Sequence, residues 1–259
     1  MLKNGEFVRR LAYNPPMSAP HLSLIIPAFN EEGRLLDSLE KLASFLSKQS
    51  YASEVLIVEN GSTDRSFEIA QAFCKNHPGF FVKHLAGRGK GLAVKWGMLA
   101  AKGSYRMMLD ADLSMPADQI NRFIPPQLAN KDISIASREA LGAVRYDEPA
   151  FRHIGGRLMN LLIRLIAIPN LQDTQCGFKC FRAEVAEDLF LNQKMNGWSF
   201  DVELLYIARL RGYSIAELPI PWYYSEQSHV NPLIDSFRMI ADLFTIRRNA
   251  RLGNYGKTN

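Results

Sequence analysis

From Leu22 to Leu109 the chain alternates short apolar runs with longer stretches whose apolar residues recur at helical spacing. This rhythm leaves few folds open. Leu22-Ser23-Leu24-Ile25-Ile26, closed by Pro27, reads as a first strand, and Val55–Val58, Phe80–Val82 and Arg106–Leu109 as three more. Between them the spacing predicts a helix from about Glu31 to Lys48, with Leu35, Leu36, Leu39, Leu42, Phe45 and Leu46 on one face. A second helix, capped by Ser62 or Thr63, runs through Phe67, Ile69, Ala70 and Phe73, and a third spans Gly91 to Ala101. Strands alternating with helices imply an α/β fold. Its sheet is mostly parallel, its crossovers right-handed, and helices cover both faces.

The rhythm changes after Asp112. Met115–Leu128 reads as a helix, Ile133–Ala136 as a strand, and Ala150–Ala167 and Phe200–Leu210 as helices. Ser214–Leu218 follows as a strand and Leu233–Arg248 as a closing amphipathic helix. With no linker between the halves, we expect one domain over 21–253, after a polar leader (1–20) and before a short tail (254–259). Residues 21–112 would bind a donor and residues 113–253 would shape an acceptor site.

Composition excludes several classes. With 47% hydrophobic and 22% charged residues, 259 residues can bury a sizeable core, so wholesale disorder is out. A net charge of +5 without dense Lys/Arg tracts suits anionic small molecules or a membrane surface and argues against nucleic acid. Cys74, Cys176 and Cys180 form no pair or zinc pattern and read as reduced thiols of a cytoplasmic protein. No signal peptide is evident, and no stretch reaches the ~18 apolar residues of a membrane span.

The chemistry-bearing residues follow the expected strands. Asp110-Ala111-Asp112 places two carboxylates at a strand's carboxyl end, where open α/β sheets bind ligands; hard oxygens there suit a divalent cation. An acidic turn after a strand is the bland alternative. Gly87-Arg88-Gly89-Lys90-Gly91 fails both the P-loop and dinucleotide spacings, leaving a glycine loop that opens a helix and offers Arg88 and Lys90 to a diphosphate, or a plain turn. In Glu59–Asp64, the Asn60-Gly61 turn leaves Glu59 facing a ligand base or ribose. Asp201, between Trp198 and Glu203 at a helix start, lies in partly apolar surroundings that can tune a carboxylate, whereas Glu203 reads as a first-turn acid. Along 150–167, His153, Arg157, Asn160 and Arg164 share one face, opposite Ile154, Leu158, Leu161, Leu162 and Leu165. The ordinary meaning is a solvated face over a core face; the sharper one is a phosphate-reading helix on lipid headgroups.

With these motifs placed, the chain resembles family 2 glycosyltransferases of the GT-A fold, and within them the dolichyl-phosphate glucosyltransferase branch of the polyprenyl-phosphate sugar transferases. The resemblance spans about Leu22 to Gly253. It rests on Pro27–Glu32, Asp110–Asp112, Asp173–Lys179, Phe200–Glu203 and Asn231–Ser236. It implies that Pro27, Ala28, Asn30, Glu31, Glu59 and Gly61 contact the nucleotide, and that Ala111, Gln175 and Trp198 complete the substrate-binding set. Asp110 and Asp112 would hold Mg²⁺ or Mn²⁺ on the diphosphate, and Arg138 and Arg152 would meet the acceptor phosphate. Two departures stand out: Glu59-Asn60 replaces a frequent Asp-Asp, and Ser114 a frequent Gln or His after the metal motif.

The implied reaction is inverting transfer of a hexose, glucose from UDP-glucose, to a polyprenyl phosphate at the cytoplasmic face of a membrane, with the protein peripheral. Lys90 would assist the departing diphosphate. A lipid phosphate is ionised at neutral pH and needs no strong base; a hydroxyl acceptor would need one, with Asp201 the candidate. That hydroxyl-acceptor transferase and a non-catalytic nucleotide-sugar-binding membrane partner are the alternatives.

Overall fold

The computed structural model describes residues 19–225 and 232–256. The central sheet has seven strands in the order β3-β2-β1-β4-β7-β5-β8. These are β1 (Leu22–Ala28), β2 (Ser53–Glu59), β3 (Phe80–His84), β4 (Tyr105–Met108), β5 (Ile133–Ser137), β7 (Lys179–Arg182) and β8 (Ile215–Pro219). β6 (Val144–Tyr146) and β9 (Pro221–Tyr223) pair as a separate parallel ribbon. All pairings in the large sheet are parallel except those of β7, which runs antiparallel to β4 and β5. The expected single-domain α/β fold with a mostly parallel sheet is what forms.

Strand alternation sends successive apolar residues to opposite faces. Leu24 and Ile26 join one core with α1 (Leu35–Leu46) and α2 (Ser66–Asn76). Ile25 joins the other, with α3 (Lys90–Ala100), α5 (Ala183–Asn192) and α6 (Phe200–Leu210). α4 (Ala150–Ile166) and α7 (Pro232–Arg251) lie side by side at the margin of this second core, joined where Arg247 Nη1 donates to Ile166 O at 3.0 Å. Packing runs on to Tyr255, which is 2% exposed.

Several sequence expectations change. Met115–Leu128 forms a 3₁₀ helix over Ala117–Phe123 rather than a full α-helix; Pro116 and the Pro125-Pro126 pair confine it to that short stretch. Ser62 and Thr63 do not cap α2. Ser62 Oγ instead accepts from Asn30 N, while Asp64 accepts from Ser66 N. β6, β7, β9 and α5 carried too little periodicity to be read from sequence. The leader through residue 18, and Asn231 with the side chains of 232–236, lie outside the described residues.

Candidate active site

β1 has β2 on one side and β4 on the other. Connections leaving its two flanks diverge, which opens a crevice beyond the carboxyl ends of these strands. The segments after β1, β2 and β4 all end there. They carry Asn30 and Glu31, Glu59 to Gly61, and Asp110 to Asp112.

At the β1–β2 side of the crevice, Ala28 O accepts from Asn60 N at 3.1 Å and so ties the ends of the two strands together. Pro27 lies within β1. Asn30 takes a positive φ of 55° and its Oδ1 accepts from Thr63 N at 2.8 Å. Glu59 is 1% exposed. Burial opposes its ionisation, but the Ser62 backbone N–H and the His84 ring, 2.5 Å away, outweigh burial and hold the carboxyl below its usual range. Gly61 (φ 84°) lies beneath Arg88, which stacks over Phe29 with 5.3 Å to the ring centroid. Glu31 is largely buried, and its carboxylate grips Arg34 through two contacts. Arg34 then reaches Asp112 Oδ2 at 3.4 Å and Ser225 Oγ at 2.6 Å. Sequence reading missed Arg34, because a single arginine early in a helix carries no motif.

Lys90 opens α3 and its Nζ meets Asp110 Oδ1 at 2.5 Å, 5.4 Å from the Trp198 ring centroid. Burial opposes the ammonium, but Asp110 and Asp201 hold its pKa above the ordinary value. Asp110 is the mirror case: burial would raise its carboxyl, while Lys90 leads the charges that hold it low. Asp112 Oδ1 accepts from Ser114 N at 3.0 Å, and Ala111 between them is buried. Two hard carboxylates facing two cations fit a divalent ion shared with an anionic ligand. Among the described residues no third His, Cys, Asp or Glu joins them, so such an ion would take further ligands from the diphosphate and water.

A third side of the crevice is built by residues 173–179. Asp173 is fully buried and forms a two-pronged ion pair with Arg138, Nε to Oδ2 at 2.7 Å and Nη2 to Oδ1 at 2.9 Å. Burial pushes Asp173 up, yet Arg138 holds it well below the carboxylate range. Arg138 also lies over Trp222 at 5.4 Å, and Arg152 over Tyr224 at 5.4 Å. Gln175 reaches α7, where its Nε2 contacts Met239 Sδ at 3.0 Å. Asp201, 3% exposed, pairs with the buried Lys179, whose Nζ lies 2.5 Å from Oδ1 and also donates to Cys176 O at 2.6 Å. Burial raises the Asp201 carboxyl against the pull of Lys179 and Lys90. Glu203, expected as a first-turn acid, is fully buried and accepts from Lys194 N, Met195 N and Tyr255 OH.

α4 sits opposite to its ordinary reading. Asn160 and Ile163 face inward, and His153 and Arg157 approach Glu139 at 3.8 and 3.7 Å. Phe151, Ile154, Leu158, Leu161 and Leu165 are 42–74% exposed. On α7, Phe237 and Phe244 are exposed at 74% and 59%. No helix among the described residues is long and apolar enough to cross a membrane.

Comparison with known proteins identifies relatives in sequence and in fold. Curated relatives named dolichyl-phosphate beta-glucosyltransferase include one from Dictyostelium discoideum, 31% identical over 97% of this chain and 82% of its own. The Saccharomyces cerevisiae relative is 33% identical, covering 90% and 76%, and the Homo sapiens relative 30%, covering 87% and 74%. Among solved structures, glucosyl-3-phosphoglycerate synthase from Mycobacterium tuberculosis, crystallised with Mg²⁺ and UDP, superposes with a TM-score of 0.62 at 19% identity, over 90% of this chain and 80% of that one. A complex of the same enzyme with Mn²⁺, UDP-glucose and phosphoglyceric acid matches with a TM-score of 0.62 over 93% and 81%. The family model for glycosyl transferase family 2 matches residues 23–190, and the chain therefore belongs to that family of glycosyltransferases.

Proposed function

We propose that this glycosyltransferase moves glucose from UDP-glucose to a polyprenyl phosphate of the dolichyl type, with inversion at the anomeric carbon, while seated on a membrane surface. The observation that carries the reading is the pairing of Asp110 with Lys90 and of Asp112 with Arg34 at the divergence of β1 and β4, beside a separate cluster of Arg138, Arg152, Trp222 and Tyr224. One side is organised for a metal-bound diphosphate and the other for a second anion. The name of the curated relatives points to glucose and a dolichyl phosphate acceptor, and the fold neighbour was crystallised with the proposed donor, UDP-glucose, although its second ligand is phosphoglyceric acid.

In this reading Glu59, Asn30 and the Gly61 turn hold the nucleoside, and Asp110 and Asp112 hold Mg²⁺ or Mn²⁺. The ion, when bound, neutralises charge gathering on the departing diphosphate. Lys90 adds a second positive charge there, fixed before the reaction begins. An acceptor phosphate oxygen attacks the anomeric carbon opposite the leaving group; the bond from carbon to the UDP oxygen breaks, and the electron pair leaves on the diphosphate. Phosphate is already ionised near neutral pH, so no proton need be removed. Asp201 then has no base work to do, in keeping with its burial against Lys179, and serves to position the 173–179 segment. Arg138, neutralised by Asp173, presents its remaining N–H to the acceptor, and Arg152, which makes no ion pair among the described residues, adds a further positive charge.

The exposed face of α4 supports membrane seating. An isoprenoid tail stays in the bilayer, so the phosphate site must come to the headgroups. Phe151 and Ile154 stand within a turn of Arg152 and continue as an apolar stripe to Leu165. Each such side chain taken out of water contributes about 1.5–3 kcal/mol, and nearby Arg residues about 1 kcal/mol each on an anionic leaflet.

The test is purified protein against a panel of sugar nucleotides with Mn²⁺, offered polyprenyl phosphate or a saccharide acceptor. A glucosylated lipid phosphate formed from UDP-glucose supports the reading. Transfer to the saccharide while lipid phosphate stays inert would replace it with the hydroxyl-acceptor alternative.

A further inference from the structure

Behind the glycine loop, a continuous set of polar contacts reaches the turn that follows α7. Tyr255 is almost fully buried, and its hydroxyl donates to Glu203 Oε1 at 2.8 Å. The other oxygen of Glu203 accepts from Lys194 N at 2.9 Å and Met195 N at 2.8 Å. Gln193, also buried, donates from Nε2 to Gly91 O at 2.9 Å and Met195 O at 2.6 Å. Asn196 O accepts from Leu92 N at 3.2 Å. Residues 193–196 thus lie directly on the turn that launches α3.

The contact is backbone on backbone and leaves no slack. A Cβ on Gly89 (φ 131°) would stand 2.3 Å from Asn196 O, and one on Gly91 2.8 Å from Met195 O. Gly89 O is held from the other side by Asn60 Nδ2 at 3.0 Å. The residue between the two glycines is Lys90, whose Nζ must reach Asp110. Wherever residues 193–196 go, the Lys90 backbone follows.

We propose that Tyr255 and Glu203 are positioning residues for the donor half of the reaction, acting through residues 193–196 to seat the Gly89–Gly91 turn and hold Lys90 on Asp110. The proposal rests on reading Lys90 and Asp110 as the diphosphate end of the donor site. It makes a buried carboxylate at the start of α6 and a tyrosine near residue 256 determinants of UDP-glucose affinity, though neither touches the ligand. Misplacement by about 1 Å at such a distance is enough to cost ~10²-fold in rate.

Tyr255→Phe keeps the ring's packing and removes one hydroxyl. It should raise the KM for UDP-glucose about five- to tenfold, the scale of one buried hydrogen bond, and leave the KM for polyprenyl phosphate unchanged. Glu203→Gln should stay near wild type, because its amide can accept from residues 194 and 195 and donate to the Tyr255 oxygen. Added to Lys90→Ala, Tyr255→Phe should raise the donor KM no further. A merely structural role would lower the melting temperature while moving neither KM. An unchanged donor KM in Tyr255→Phe, an equal rise in both KM values, or full additivity with Lys90→Ala would overturn the proposal. Wild-type protein that transfers from no uridine diphosphate sugar would instead overturn the functional reading, and the brace with it.

Discussion

Gly177 lies against the Asp110 carboxylate so closely that a Cβ there would stand 2.0 Å from Oδ2. The 173–179 segment therefore sets the position of the Asp110 carboxylate, the first of the two proposed to hold the metal ion, and only a glycine permits the approach. Gly177→Ala should displace Asp110 from Lys90 and lower kcat/KM by about 100-fold, since a shift of about 1 Å suffices for that loss. The melting temperature should change little, because the clash is relieved at a side chain facing the crevice. Activity within threefold of wild type would show that Asp110 can move without consequence.

The Arg138–Asp173 pair makes a second prediction. Asp173→Asn leaves a largely buried guanidinium without its counter-ion, a loss of about 3–5 kcal/mol. Because the Asp173 carboxyl is held below its usual value, its contribution is complete above the unfolded-chain pKa of about 3.9 and fades as pH falls through the lower folded value. Melting curves should show a wide gap between wild type and variant at pH 7 that narrows below pH 4. A gap independent of pH would assign the loss to packing instead.

The three thiols should be inert in the native protein. Burial pushes Cys74 up to about 11 and Cys176 and Cys180 up to about 12. Since the thiolate is the nucleophile, iodoacetamide at pH 7.5 should label none of them until the chain is denatured, when all three react. Rapid native labelling of Cys176 would contradict its burial at the site.

Membrane seating is tested on α4. Ile154→Glu combined with Leu158→Glu alters side chains 69% and 58% exposed, so folding should be untouched. Sedimentation with anionic vesicles should fall at least tenfold, as should use of a lipid-embedded acceptor. Undiminished vesicle binding would move the docking surface elsewhere.

Much of this arrangement is legible in the sequence, and for a physical reason. β1, β2 and β4 are largely buried on both faces and read as continuous apolar runs, so the residues at or just beyond their ends, Glu59 and Asp110 among them, are placed by strand ends alone. β7 escapes notice because Lys179-Cys180-Phe181-Arg182 is short, bounded by charges and antiparallel within a parallel sheet. α4 is identified correctly as a helix, yet its periodicity cannot say which face is covered. Asn160 faces inward while Leu165 is 74% exposed, because Ile163, with Met159 and Ile166 beside it, is what packs against the second core. Arg34 and Lys179 were missed as site residues for a similar reason: their importance lies in partners distant in sequence, Asp112 and Asp201.

The most direct measurement is glucose transfer from UDP-glucose to polyprenyl phosphate in vesicles, by wild type and by Asp110→Asn, with Mn²⁺ or with excess chelator. The account predicts a glucosylated lipid phosphate from wild type with Mn²⁺. It predicts loss of at least ~100-fold for Asp110→Asn, by analogy with removal of a single charge-stabilising group, and none formed with chelator until Mn²⁺ is restored. Full turnover in excess chelator, or by Asp110→Asn, would contradict it.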